Sequence, residues 1–234
     1  MTTISRIEAG PPASAGVAPL PTAPGPNCPL CPRLAEFRAQ ARARDPSWFN
    51  APVPSFGDPK AALLIVGLAP GMQGANRTGR PFTGDYAGKL LYGTLLHFGL
   101  ARGAYGERPD DGLTLIDCRI TNAVRCAPPG NRPEPAEIKT CGNFLAAEMA
   151  AMPKLTGILA LGLIAHNAVL TTFGLQKSRY PFAHGALHDV GDGRTLADSY
   201  HCSRLNTNTG RLTEAMFANV VGTLKRRVDK TAKC

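Results

Sequence analysis

The chain has 234 residues, 44% hydrophobic and 18% charged, the composition of an ordinary globular protein long enough to bury a sizeable core. Twenty-six Lys and Arg against 17 Asp and Glu give a net charge of +9, which suits a polyanionic partner such as nucleic acid without choosing among polyanions. No run approaches the ~18 continuous apolar residues of a membrane span and the first residues lack the apolar core of a signal peptide, so a cytoplasmic protein with no membrane partner is expected.

Residues 1–26 are rich in Pro, Ala and Gly and are expected to form a disordered arm. A single domain is expected over 27–229, followed by a short tail at 230–234. Within it the pattern predicts a helix at about Leu34–Arg42, a buried strand at Ala61–Val66 and a helix at about Tyr86–Phe98. A second strand is expected near Leu115–Val124, a helix at Glu134–Met152, a third strand at Gly157–Leu161 and a helix at Ile164–Thr172. A last strand near Thr195–Ser199 leads into a helix at about Leu212–Val228. Strands alternating with helices of this length predict an α/β fold, a three-layer α/β/α sandwich around a mainly parallel four-stranded sheet.

In such sheets ligands bind in loops beyond the carboxyl ends of the strands. Three segments fall there: "GLAPGMQGANRTGRPFTGDYAG" from Gly67, "RCAPPGNRPEP" from Arg125 and "YHCSRLNTNTGR" from Tyr200. The first has neither the GK[ST] of a Walker A loop nor the G-x-G-x-x-G of a dinucleotide fold. Together the three supply Asp85, Asn131, His201 and several arginines: a carboxylate, an imidazole and cationic walls. Cys28 and Cys31 form a Cys-x-x-Cys pair, and Cys126 and Cys141 are candidates to complete a four-thiolate metal site. Spacing alone leaves structural zinc and an iron-sulfur cluster equally open.

These three motifs, in this order, resemble those of the type B, or family five, uracil-DNA glycosylases, and the likeness runs from about Cys28 to about Phe217. The resemblance implies a monofunctional DNA repair enzyme that flips a nucleotide out of the helix, hydrolyses the N-glycosidic bond of uracil and leaves an abasic site. Hypoxanthine and xanthine are further candidate substrates, and a monomer is expected. It also implies a structural [4Fe-4S] cluster on Cys28, Cys31, Cys126 and Cys141. Asp85 would orient or deprotonate the attacking water and stabilise the cationic sugar, a role compatible with capping the helix that opens at Tyr86. His201 would donate to the departing base, and Asn131 would stand near the reacting atoms, although an Asn there also suits a turn. Phe82 would stack on the extruded base beside Gly67 and Ala69. Arg77, Arg80, Arg204 and Arg211 would hold phosphates, and Leu205 would enter the vacated space.

The chain departs from the family pattern at "TNAVRC", where type B members commonly carry Ala-Ala. The sister type A enzymes place an asparagine at the position of Asn122, which implies that Asn122 reads the uracil edge and sharpens selectivity for uracil. The alternative is that it bonds locally to the backbone. Two relatives in chemistry are disfavoured. No histidine stands in "RCAPPGNRPEPAEIKTC", against covalent capture, and no lysine falls in the three loops, against Schiff-base strand cleavage. A non-catalytic DNA-binding member of the same superfamily is the competing reading, and the joint presence of Asp85, Asn131 and His201 opposes it.

Overall fold

The structure is a computed structural model that describes residues 22–231. In chain order the strands are β1 (Phe56–Gly57), β2 (Leu63–Gly67), β3 (Ala101–Arg102), β4 (Thr114–Leu115), β5 (Cys118–Asn122), β6 (Gly157–Leu161), β7 (Leu187–Asp189) and β8 (Thr195–Ser199). The helices are α1 (Pro32–Arg44), α2 (Ala75–Thr78), α3 (Tyr86–His97), α4 (Pro135–Ala150), α5 (Leu163–Thr172), α6 (Arg204–Asn208) and α7 (Glu214–Thr231). No helix among the described residues is long and apolar enough to cross a membrane.

The main sheet has six strands, not four, in the order β1-β5-β2-β6-β8-β7. Its centre, β5-β2-β6-β8, is the parallel set expected from sequence, and β1 and β7 add antiparallel edges. Those edges span two and three residues, too short for an alternating pattern to register.

The three layers follow from strand alternation. Leu63 and Ile65 of β2 face one way, into a core shared with Leu91 and Leu95 of α3 and Val221 and Leu224 of α7. Leu64 and Val66 face the other way, against Leu145 and Met149 of α4 and Val169 of α5. Because both faces are covered, β2 and β6 read as continuous apolar runs, and every residue of each is buried.

Local chemistry sets the helix entries. Pro32 and Pro135 stand in the first turns of α1 and α4, where a missing N–H costs nothing. Glu134 and Glu137 close a reciprocal capping box at α4. Buried ion pairs tie the layers together: Glu148 takes Arg125 at 2.5 Å and Arg119 at 2.7 Å, fastening α4 to β5 and its exit. On the far side, Asp198 of β8 accepts His166 at 2.7 Å and His188 at 2.9 Å, giving two histidines outside the motifs a structural role.

The expected ends of the domain shift slightly. Residues 1–21 of the proposed arm, and 232–234 of the tail, lie outside the described residues. At the arm's end Arg42 donates to Pro26 O and Asn27 Oδ1, both at 2.8 Å, so the structure anchored to α1 begins before residue 27. Residues 230 and 231 belong to α7 rather than to a tail.

Candidate active site

The carboxyl ends of β2, β5 and β8 open into a pocket of about 520 Å3 whose walls include Ala69, Phe82, Asp85, Asn122, Asn131, His201 and Arg204. The topology explains the convergence. Parallel strands all point their carboxyl ends to one edge, so loops far apart in sequence meet there.

The glycine loop that leaves β2 is shaped by close approach. A Cβ on Gly67 would collide with the Asn122 amide oxygen and the Phe82 ring, and one on Gly74 would collide with the Asp85 carboxylate. Gly67 therefore lies behind the pocket and makes room for two residues within it. Asp85 is the N-cap of α3, its Oδ1 accepting the Gly88 N–H at 3.3 Å. The cap expected from sequence is present, and it fixes a carboxylate that lines the pocket. Burial raises its carboxyl above the usual aspartate range, partly offset by the Gly88 and Ala87 amides.

Across the pocket, His201 follows β8 and its ring lies 5.9 Å from that of Phe82. Burial pushes its imidazole down to about 4, so it is neutral at neutral pH and offers an N–H without a positive charge. Asn206 donates to His201 O at 2.8 Å and Ser203 caps α6, so this segment is braced from within.

Asn122 ends β5 opposite Gly67, and its Oδ1 is buried with no hydrogen-bond donor among the described residues. That oxygen is packed against Gly67, where a Cβ would lie 2.4 Å from it. The Oδ1 takes no backbone N–H among the described residues. Asn131 ends the turn Pro129–Asn131 with φ +56, a left-handed conformation Asn tolerates, and is exposed at the rim.

The cationic residues divide. Arg204 is exposed at the mouth, 5.6 Å over the Tyr86 ring; Arg211 is exposed and lies 4.5 Å over Tyr200; Arg77 is exposed and donates to Gln73 O at 2.8 Å. Leu205 is 72% exposed at the start of α6, an unsupported apolar side chain beside the pocket. Arg80 does not fit the phosphate role expected for it. It is buried, held by Asp111 through contacts of 2.8 and 2.7 Å and by Thr83 at 2.7 Å. Its partner lies 31 residues away, and no spacing announces it. Tyr86, which follows Asp85 in the first motif without an assigned role, also lines the pocket, while Tyr105 and Asp111 lie outside the three motifs.

The four cysteines surround a second, small cavity below the sheet edge, with Leu34, Val124 and Phe144. Burial pushes the thiols of Cys31 and Cys141 up to about 11, so they become thiolates only beside a cation. Among the described residues no three of these sulfurs lie within 4.8 Å of one another. Tetrahedral zinc with bonds of about 2.3 Å would draw its sulfurs to roughly 3.8 Å. Arg38, another residue that sequence did not single out, donates to Cys126 Sγ at 3.4 Å and Cys28 O at 2.8 Å, while its buried Nε has no acceptor among the described residues. The Arg125 N–H reaches Cys141 Sγ at 3.3 Å. Wide sulfur spacing and an orphan donor fit a group larger than one ion, carrying acceptors of its own.

Compared with known proteins, residues 54–225 match the model of the uracil DNA glycosylase superfamily. The chain is 47% identical over 205 residues to the type-5 uracil-DNA glycosylase of Thermus thermophilus, covering 85% of this chain and 93% of that protein. It is 41% identical over 212 residues to the type-5 uracil-DNA glycosylase of Pyrobaculum aerophilum, covering 89% and 90%. Similarity to the type-4 uracil-DNA glycosylase of P. aerophilum is 36% over 179 residues, covering 75% and 77%.

Proposed function

Because the chain belongs to the uracil DNA glycosylase superfamily, we propose that it is a DNA repair glycosylase that hydrolyses the N-glycosidic bond of uracil in DNA. The observation that carries this reading is one pocket holding an anion, an aromatic ring, an unpaired amide acceptor and a neutral imidazole: Asp85, Phe82, Asn122 and His201.

The chemistry assigns each a task. An extruded deoxyuridine stacks on Phe82. As the glycosidic bond lengthens, positive charge grows on the sugar and negative charge on the base. Asp85 stabilises the first and directs water to the anomeric carbon, while the His201 N–H stabilises the second. Asn131 at the rim helps to hold that water. Arg77, Arg204 and Arg211 grip phosphates, and Leu205 fills the space the base leaves.

The deciding experiment measures free uracil released from a synthetic duplex, beside duplexes carrying hypoxanthine or xanthine. Release with an intact abasic strand supports the reading. Binding to the duplex without release would favour the non-catalytic alternative.

Asn122 sets the base edge in this reading. Its amide N–H donates to a uracil carbonyl and its Oδ1, turned from Gly67 toward the base, accepts the ring N–H, a pattern that cytosine reverses. Asn122→Ala should lower kcat/KM on uracil about ten- to a hundredfold. Release of the larger purines should hold or rise, because the shorter side chain leaves room. Equal rates on every base in the variant and the wild type would make Asn122 structural.

Three exposed arginines, rather than four, then face phosphates. The slope of log K against log salt should be roughly −2 to −3. Arg204→Ala should flatten it by close to one unit, whereas a slope near zero would remove DNA from the partners.

Cys28, Cys31, Cys126 and Cys141 hold a [4Fe-4S] cluster in this proposal; their spacing and the free Arg38 Nε support it over zinc. Bound there, it cross-links α1 to α4 and the exit of β5 and takes no part in the reaction. The purified protein should be brown and contain about four irons per chain. A colourless, folded, active protein with one zinc would contradict this.

A further inference from the structure

Phe82, a bulky residue, has φ +53, a left-handed backbone that a side chain of this size rarely adopts. Something must hold it, and the surrounding hydrogen bonds show what does. The Tyr92 hydroxyl donates to Pro81 O at 2.6 Å, and the Tyr105 hydroxyl donates to Phe82 O at 3.0 Å. Tyr92 belongs to α3, but Tyr105 comes from the exposed loop between β3 and β4.

That loop is itself stapled in place. Asp111 accepts the backbone N–H groups of Gly106 at 2.9 Å and Leu113 at 3.0 Å, closing the loop on itself. Its two oxygens also take the two terminal nitrogens of Arg80, the residue two before Phe82. The guanidinium lies 5.2, 5.4 and 5.9 Å from the rings of Phe56, Tyr92 and Tyr105. A Cβ on Gly88 would collide with both Phe82 O and the Tyr105 hydroxyl, so α3 presents a glycine where the two meet. Asp85 is fixed separately, by its own cap on α3.

We infer that the 103–113 loop is a brace for the base platform, and that Tyr105 is the positioning residue through which it holds Phe82 in its strained conformation. The inference rests on the glycosylase reading. It extends that reading to a segment outside the three motif loops.

The test is a double-mutant cycle on uracil-containing duplex DNA with Tyr105→Phe, Phe82→Ala and the pair. Tyr105→Phe should raise KM about tenfold and change kcat less than about twofold, because it loosens the stacking surface and leaves Asp85 capped. In the Phe82→Ala background the same hydroxyl should matter less than about twofold, since no platform remains to be held. Equal penalties in both backgrounds, a loss confined to kcat, or no loss at all would overturn the inference. So would failure of Tyr105→Phe to fold, because the hydroxyl would then serve the core rather than the platform. Wild-type protein that releases no uracil overturns the functional reading, and this inference with it; wild-type release combined with an additive cycle overturns the inference alone.

Discussion

Asp85→Asn should lower kcat on uracil-containing DNA about 100- to 1,000-fold, the range for removing one preorganised electrostatic group, while the affinity for DNA stays close to that of the wild type. The fold should not suffer. Asparagine is as good an N-cap as aspartate, so the bond to the Gly88 amide survives the exchange. The variant should even gain stability at neutral pH. Burial raises the Asp85 carboxyl above its unfolded value, so the native state binds the proton more tightly than the unfolded state does. The ionised form therefore costs stability above the raised value, and the cost vanishes as pH falls through it. Thermal melts should show Asp85→Asn ahead at neutral pH and level with the wild type in acid. Stability that drops together with activity would mean that Asp85 acts chiefly as a cap, and near-normal turnover would remove it from the reaction.

The contrast between Asp85 and Arg80 marks what the sequence could reveal. Both lie in the glycine loop, five residues apart, and both looked functional from their neighbours. The cap at Asp85 could be read because it is local, the residue directly before the helix it opens. Arg80 could not, because its role is set by Asp111 from another loop and by three aromatic rings from β1, α3 and that loop. The same division runs through the fold. The strands β2, β6 and β8 and the long helices stand within a few residues of their expected places, since continuous apolar runs and proline or carboxylate entries are properties of short windows. The edges β1 and β7 exist only as pairings with β5 and β8, and nothing inside two or three residues encodes such a pairing. Arg38 is the analogous case among the cysteines. Cys28 and Cys31 announce themselves by spacing, but a buried guanidinium reaching Cys126 is evident only once α1 is packed against the exit of β5.

His201→Ala should lower kcat by about 100- to 1,000-fold as well, for a different electrostatic reason. The imidazole, held neutral by burial down to about 4, can stabilise the departing base only by its N–H dipole, and the alanine variant offers that oxygen nothing in its place. The loss should therefore grow with the basicity of the leaving group and shrink for bases that leave more readily as anions. The pH profile separates the two partners. Wild-type rate should fall toward acid as the Asp85 carboxyl protonates, and His201→Ala should keep that limb because Asp85 remains. Stability should respond in the opposite sense to that of Asp85→Asn. Between the ordinary histidine value of about 6.5 and the depressed value of about 4 the unfolded chain binds a proton at His201 and the native chain does not, so wild-type stability falls as pH drops through that window. His201→Ala removes this penalty, and its melting temperature should decline less steeply over the same range. A variant whose stability follows the wild type in parallel through that window would show that burial does not lower the His201 imidazole, and the donor would then gain a positive charge as pH drops below about 6.5.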